Sequence, residues 1–154
     1  MNPTPHRRPT SAWLLIALQF LLGLGALISG GMMMAVPDGS LMQMPPSMLQ
    51  YSPFTSFFIP GLILFSLLGV YPLLVAYCLW RLPAWRWPDA LNPFKDRHWS
   101  WAASLAAGVI VLIWITVQVL MLRSIAFLHV LYFVWGWALI GLTLTAWVRR
   151  YCAR

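Results

Sequence analysis

The sequence contains very little charge and almost no acid. Only 8% of its 154 residues are charged, only three residues are acidic, and glutamate does not occur. Hydrophobic residues make up 61% of the chain, whereas an ordinary soluble domain has about one quarter charged residues and fewer than about one half apolar residues. A water-soluble fold of this length cannot bury so much apolar surface, so the composition excludes that class and indicates a membrane protein.

The groups on which most enzymes and cofactor sites depend are also scarce. The two cysteines, Cys78 and Cys152, are too few and too far apart for a disulfide framework or a Cys-x-x-Cys redox pair. The chain has no Gly-x-Ser-x-Gly motif, no His-Glu-x-x-His motif and no phosphate-binding glycine-rich loop. The sequence therefore predicts no catalytic residue, no metal ligand and no cofactor, and it favours a protein that is not an enzyme.

Four runs without Asp, Glu, Lys or Arg are each long enough to cross a membrane. They extend over about Trp13 to Val36, Pro53 to Trp80, Trp101 to Leu122 and Phe127 to Val148. One charged residue at the centre of a membrane helix costs about 2.5 to 3.5 kcal/mol on insertion scales, so the absence of charge from all four runs is informative. We predict an all-α protein in which residues 1–154 form one membrane domain, a bundle of four transmembrane helices.

The basic residues predict how these helices are oriented. Of the ten Lys and Arg residues, only Arg123 lies on the side opposite the termini. The others are Arg7, Arg8, Arg81, Arg86, Lys95, Arg97, Arg149, Arg150 and Arg154. Because cytoplasmic loops retain Lys and Arg, we expect both termini in the cytoplasm and residues 37–52 and 123–126 on the outside. Basic residues scattered between apolar runs do not favour a nucleic-acid partner, in spite of the net charge of +7.

The outer connector between the first two helices has its own local signals. Pro37-Asp38-Gly39-Ser40 is typical of a turn, and Pro46 to Tyr51 predicts a short interfacial segment. Ser52-Pro53 predicts an N-cap followed by proline at the first position of the second helix. Inside that helix, Pro72 should leave the carbonyl of Leu68 without its usual donor and kink the helix.

Small residues indicate where the helices meet. In the first and third helices they recur at the spacing that lets helix backbones approach closely. They are Gly23, Gly25, Ala26, Ser29 and Gly30, and Ala103, Ser104, Ala107 and Gly108. These faces pack either within the bundle or in a dimer.

Polar residues near the outer ends of the third and fourth helices form the candidate site. They are Gln118, Arg123, His129 and Tyr132, with Asp38 on the same side. The prediction is one outward-facing pocket for a lipid head group or an isoprenoid, where Arg123 contacts an anionic oxygen, His129 donates or transfers a proton and Gln118 orients the ligand. The alternative is structural: Arg and His at the interface, Gln bonded to a neighbouring helix, and Asp in a turn.

Methionine is concentrated near the outer face. Six of the eight methionines lie there: Met32, Met33, Met34, Met42, Met44 and Met48. Thioethers are soft ligands that suit Cu(I), and Met42-Gln43-Met44 has a spacing that such sites can use. The alternative is that methionine fills irregular apolar space beneath a loop and binds no metal.

A further pattern runs through the first half of the chain. It comprises Pro37-Asp38-Gly39-Ser40, Met44-Pro45, Leu49, Ser52-Pro53-Phe54 and Ile59-Pro60-Gly61. In this pattern the chain resembles a loose set of small bacterial proteins with four transmembrane helices. The resemblance implies a bacterial cytoplasmic (inner) membrane, and it implies no activity, ligand or catalytic residue.

Three functions remain open on the sequence alone. The spans contain no acidic residue, which argues against proton-coupled transport. The first hypothesis is therefore a bundle that acts by association, as an accessory subunit of a membrane complex or as a homo-oligomer. The alternatives are a protein that binds or acts on a lipid or quinone near Arg123 and His129, and copper handling by methionines at the outer face. The expected partners are the bilayer, a membrane protein or second copy, and a lipid or isoprenoid.

Overall fold

The computed structural model describes residues 8–154, so Arg7, used in the orientation argument, lies outside the described residues. Four helices are long and apolar enough to cross a membrane, which confirms their predicted number and indicates a multi-pass membrane protein. We call them spans 1 to 4: Thr10–Ala35, Phe58–Arg81, Trp99–Leu122 and Phe127–Leu144. The shorter elements are the 3₁₀ turns Ser40–Met42 and Pro46–Leu49, and the helices Arg86–Ala90 and Ala146–Tyr151.

The chain reverses direction between successive spans, which defines two ends of the bundle. Residues 36–57 and 123–126 connect spans at one end, which we call the loop end. Residues 82–98 and the C-terminal residues lie at the other end, which we call the terminus end. Arg8 belongs to the terminus end as well, since its guanidinium donates to the carbonyl of Trp80 at 2.8 Å.

Span 2 begins at Phe58 and not at Pro53, so the predicted cap at Ser52 is wrong. The hydroxyl of Ser52 donates instead to a carbonyl within the connector, at 2.9 Å. The amide of Phe57 donates to the carbonyl of Pro37 at 2.9 Å, which ties the end of the connector to its beginning. Residues 53–57 therefore belong to an ordered connector over the loop end, and the helix starts only after it.

Span 4 ends at Leu144 and not at Val148, because Thr145 leaves the helical conformation with φ −60° and ψ 146°. The Thr145 hydroxyl accepts the amide proton of Val148 at 3.4 Å and caps the short helix Ala146–Tyr151. Threonine suits this position because its oxygen satisfies an amide that a helix start leaves without a partner.

Span 2 widens into a π-helical segment, Leu64–Val70, just before Pro72. The amide of Tyr71 donates to the carbonyl of Ser66 and not to the carbonyl expected for an α-helix. This segment shifts the hydrogen-bond pairing by one residue ahead of the proline. The π segment lies directly before Pro72 and accommodates the proline. That the carbonyl of Leu68 lacks its usual donor stays a prediction.

Spans 1 and 2 approach each other most closely at glycines. A Cβ atom on Gly30 would lie 2.7 Å from the carbonyl oxygen of Gly61 and 2.6 Å from the amide nitrogen of Phe65. A Cβ atom on Gly23 would lie 2.8 Å from the carbonyl oxygen of Gly69. These separations are too short for nonbonded atoms, so only glycine allows the two backbones to come this close.

Spans 3 and 4 meet in the same way, at Gly108 and Gly136. A Cβ atom on Gly108 would lie 3.0 Å from the carbonyl oxygen of Gly136, and one on Gly136 would lie 3.2 Å from that of Gly108. The sequence left open whether the small-residue faces pack within the bundle or in a dimer. Gly23, Gly30 and Gly108 of these faces pack against other helices of the same chain. In contrast, a Cβ atom on Gly31 or Gly141 would meet nothing within 4 Å.

The C-terminal residues are fixed to the connector between spans 2 and 3. The amide of His98 donates to the carbonyl of Cys152 at 2.7 Å. The Arg154 guanidinium pairs with the Asp89 carboxylate at 2.6 Å, and this contact lowers the pKa of Asp89. Burial raises the pKa of the Cys152 thiol to about 12, so this cysteine is not a reactive thiolate.

His98 caps the start of span 3. Its Nδ1 accepts the amide proton of Ser100 at 3.2 Å, and its Nε2 lies 3.0 Å from the carbonyl oxygen of Pro83. Both contacts are satisfied by the neutral ring with its hydrogen on Nε2. Burial is the main cause of the lowered pKa of His98, because it disfavours the charged imidazolium.

We predict that Gly30→Ala destabilises the bundle and that Gly31→Ala does not. The added methyl at position 30 meets backbone atoms that cannot turn aside, and overpacking of this kind costs about 1–3 kcal/mol. The methyl at position 31 enters open space, where alanine also favours the helix. Thermal unfolding midpoints in one detergent would measure both, and equal midpoints for the two variants would contradict the glycine contact.

We also predict that acid destabilises the fold through His98. Its pKa lies below the ordinary value of 6.5 in the folded chain, so the unfolded chain binds the proton first as the pH falls. Titration of His98 thus leaves the stability of the fold unchanged well above pH 6.5. It lowers the stability as the pH falls from 6.5 toward the pKa of His98 in the folded chain. His98→Asn retains a capping side chain that cannot titrate, so its unfolding midpoint should depend less on pH below about 6.5. If the unfolding midpoints of both proteins changed equally with pH, another titratable group would be responsible for the loss of stability in acid.

Candidate functional site at the loop end

Asp38 serves the turn that opens the connector 36–57. Its carboxylate accepts the amide proton of Ser40 at 2.8 Å, and this hydrogen bond lowers the pKa of Asp38. Gly39 follows with φ 81°, in the left-handed region that glycine adopts without strain. Asp38 is exposed, and the arrangement is that of a structural turn residue.

Arg123 ends span 3 and reaches across to the longer connector. It takes a left-handed conformation with φ 50°, and its amide donates to the carbonyl of Val119 at 2.9 Å. Its guanidinium lies 4.2 Å from the centre of the Tyr51 ring. A cation over an exposed ring face contributes about 0.5–1 kcal/mol, so this contact helps to hold the two connectors together.

His129 lies in the first turn of span 4 and binds the backbone there. Its Nδ1 accepts the amide proton of Ala126 at 2.9 Å, as a side chain at the third helical position can do. A nitrogen that accepts carries no hydrogen, so the neutral ring has its hydrogen on Nε2. His129 therefore retains one N–H donor beyond its capping role.

A groove of about 310 Å³ lies between the end of span 3 and the beginning of span 4. We call it the span 3–4 groove. It is lined by Ile115, Thr116, Val119, Leu120, Ile125, His129, Val130 and Phe133. The Thr116 hydroxyl donates to the carbonyl of Leu112 at 2.8 Å and is thereby used within its own helix. His129 is thus the lining residue whose side chain retains an N–H donor beyond its capping hydrogen bond.

A smaller cavity of about 70 Å³ lies beneath the connector 36–57, and we call it the methionine cleft. Its lining comprises Met33, Met44, Met48, Leu49, Ser52, Phe57, Pro60, Trp114, Gln118, Met121 and Leu122. Four thioethers from three separate segments therefore share one cavity. The Gln118 amide is the largest polar group in its wall.

The five predicted site residues do not line one pocket. Gln118 lines the methionine cleft and His129 lines the span 3–4 groove, so these two side chains serve different cavities. Arg123 and Asp38 line neither cavity. Tyr132 also lines neither, and its hydroxyl lies near span 1, 3.9 Å from where a Cβ atom on a glycine of that span would be. A ligand-binding role for these residues stays a prediction.

Three fully buried polar side chains form a network inside the bundle. Nε2 of Gln19 donates to Oγ of Ser104 at 3.1 Å, and Ser104 lies 2.9 Å from the hydroxyl of Thr143. The Thr143 hydroxyl donates to the carbonyl of Leu139 at 2.7 Å. Its hydrogen is thus used, so Ser104 must donate to Thr143 and can only accept from Gln19. Each hydrogen bond of the network therefore donates in the same direction, from Gln19 of span 1 through Ser104 of span 3 to Thr143 of span 4.

Sequence reasoning missed this network as a unit. Gln19 is conspicuous in the sequence as a long polar residue in an apolar run. Ser104, in contrast, belongs to a pattern of small residues that indicates helix packing, and nothing in the sequence distinguishes Thr143 as a hydrogen-bonding residue. The indole of Trp101 adds a hydrogen bond to the carbonyl of Thr143 at 2.8 Å. Within residues 8–154, Oε1 of Gln19 has no hydrogen-bond partner. A buried acceptor without a partner costs free energy of folding in an apolar interior.

Comparison with known proteins supplies no relative from which a function can be transferred. No family model matches the chain, and no match was found among curated proteins or solved structures. Within residues 8–154, no group of three or more His, Cys, Asp or Glu side chains is placed to hold a metal ion. The resemblance to small bacterial proteins stays a prediction, and the geometry carries the functional argument.

We predict that Ser104→Ala costs more stability than Gln19→Leu. Removing the Ser104 hydroxyl leaves the Gln19 amide without its acceptor, whereas leucine at position 19 removes the amide together with its unpartnered oxygen. A hydrogen bond between membrane helices contributes about 0.6–2 kcal/mol, which sets the expected loss for Ser104→Ala. Unfolding midpoints in detergent would measure both variants, and a larger loss for Gln19→Leu would contradict the cost assigned to a Gln19 amide without its partner.

Proposed function

We propose that the protein binds a lipid-like molecule in the bacterial cytoplasmic membrane, with its termini in the cytoplasm and its loop end outside. The observation that carries the proposal is the apolar span 3–4 groove, whose lining residues include His129, a side chain with an N–H donor that its capping role does not use. The ligand class that fits is a long apolar chain with a head group that accepts a hydrogen bond. Phospholipids, isoprenoids and quinones all belong to that class.

The groove has the size and chemistry for such a chain. Its volume of about 310 Å³ falls at the lower end of small-molecule sites. Apolar walls alone do not select a ligand, because the bilayer fills any apolar groove with hydrocarbon. Selectivity then depends on His129, which lies in the first turn of span 4, and the end of a membrane-spanning helix is where we expect head groups.

Arg123 favours an anionic head group. It lies in the connector between spans 3 and 4, in sequence between the groove-lining residues Leu120 and Ile125, and it is exposed. The two ion pairs of the described chain, Asp96 with Arg97 and Asp89 with Arg154, are both at the terminus end. The charge of Arg123 is therefore available to a phosphate or carboxylate oxygen.

Association with a membrane-protein partner or a second copy is the second candidate function. Gly141 of span 4 is exposed and would meet nothing within 4 Å if it carried a Cβ atom. It lies beside Val134 and Trp137, whose exposed fractions are 59% and 55%. A helix of another protein can approach closely at such a position, which supports the roles of accessory subunit and homo-oligomer.

We predict that gently extracted wild-type protein retains one lipid class in native mass spectrometry. Val119→Trp should abolish retention, because the indole fills the groove. His129→Glu should reduce it at least about tenfold, since it retains the capping acceptor, removes the donor and repels an anion. Val109→Trp is the matched control, because Val109 lies on span 3 outside the groove and is 43% exposed.

The same samples separate the two candidates. Selective lipid retention by wild type and Val109→Trp, but not by Val119→Trp, supports lipid binding. The same mixed lipids on all four proteins would contradict it. Association predicts instead a second copy or a co-purifying protein that Gly141→Leu removes while the lipid pattern stays the same.

A further inference from the structure

The methionine cleft is a feature that lipid binding does not use. Met33 comes from the end of span 1, Met44 and Met48 from the connector 36–57, and Met121 from the last turn of span 3. Folding thus gathers half of the eight methionines into one cavity. Met42, which the sequence paired with Met44 as a copper motif, does not line it.

We propose that the methionine cleft binds a soft monovalent cation, Cu(I), through the thioethers of these four methionines. Thioether sulfur is a soft, neutral ligand that favours Cu(I) over hard cations such as Mg²⁺ or Ca²⁺. No carboxylate, imidazole or thiol lines the cleft, so a divalent ion would receive no balancing charge there. The uncharged lining of the cleft therefore favours an ion with a single positive charge over a divalent ion.

The dimensions of the cleft suit one ion. Its volume of about 70 Å³ is less than a quarter of that of the span 3–4 groove. The cleft is thus better suited to a small ion than to an acyl chain or an organic cofactor. Trp114 and Phe57 form apolar walls, and the face of an indole also attracts a cation.

The connector holds the ligand-bearing backbone in place before any ion arrives. The amide of Met44 donates to the carbonyl of Gly39 at 3.0 Å, and that of Met48 donates to Pro45 at 3.0 Å. Met33 is 7% exposed, so its side chain is already directed into the protein. Binding then requires rotation of flexible side chains, which methionine permits.

Silver retention tests the proposal, because Ag(I) has the softness of Cu(I) and does not change oxidation state under these conditions. The purified full chain in mild detergent is incubated with excess Ag(I), desalted and analysed for metal per protein. Wild type should retain about one equivalent more silver than a Met44→Leu/Met121→Leu variant, and silver should raise its unfolding midpoint but not that of the variant. Met42→Leu is the matched control and should behave as wild type.

Leucine conserves the volume of methionine, so these variants should fold. The unfolding midpoint without silver checks this for each protein, and Met121→Leu alone serves if the double variant fails. Both cysteines are present in every protein, so a difference in silver cannot come from thiols. Equal silver in wild type and the Met44/Met121 variant would overturn the proposal, and so would an equally large loss in Met42→Leu. Val119→Trp should retain silver even if it loses lipid.

Discussion

Helices in a membrane receive no hydrophobic drive toward one another, because lipid chains are as apolar as leucine. Their association depends on close packing, and in this chain the closest packing is backbone against backbone. Gly30 faces Gly61 between spans 1 and 2, and Gly108 faces Gly136 between spans 3 and 4. The bundle therefore consists of two glycine-packed helical hairpins, and the rest of the structure is arranged around these contacts.

The same contacts explain why a groove opens at the loop end. Beyond Gly108 and Gly136, in the direction of the loop end, spans 3 and 4 contain no further glycine. Larger side chains such as Ile115 and Phe133 then separate the two backbones, and the groove lies between them. The two hairpins are joined by directional polar contacts, of which the hydrogen bond from Gln19 to Ser104 is the most buried. Close packing and a few hydrogen bonds thus hold the spans together, and the groove opens where the glycine contacts end.

The four spans could be predicted from the sequence because exclusion of charge from a membrane is a local property of each run. The start of span 2 could not, since it depends on a hydrogen bond between Phe57 and Pro37, at opposite ends of a long connector. The sequence placed Gln118 and His129 at the same end of the bundle. To assign them to different cavities, one must know which face of span 3 is turned toward span 4. The sequence marked Gly108 as a packing residue, but it did not identify Gly136 as the residue that Gly108 meets.

Solid-state NMR on glycine-labelled protein in lipid bilayers tests the central contact most directly. The account predicts short-range ¹³C cross peaks between Gly30 and Gly61 and between Gly108 and Gly136, at separations that any larger side chain would prevent. The peaks should keep their intensity per labelled molecule when labelled protein is diluted with unlabelled protein, because both contacts lie within one chain. Missing peaks, or peaks that fade on dilution, would contradict two glycine-packed hairpins within a single molecule.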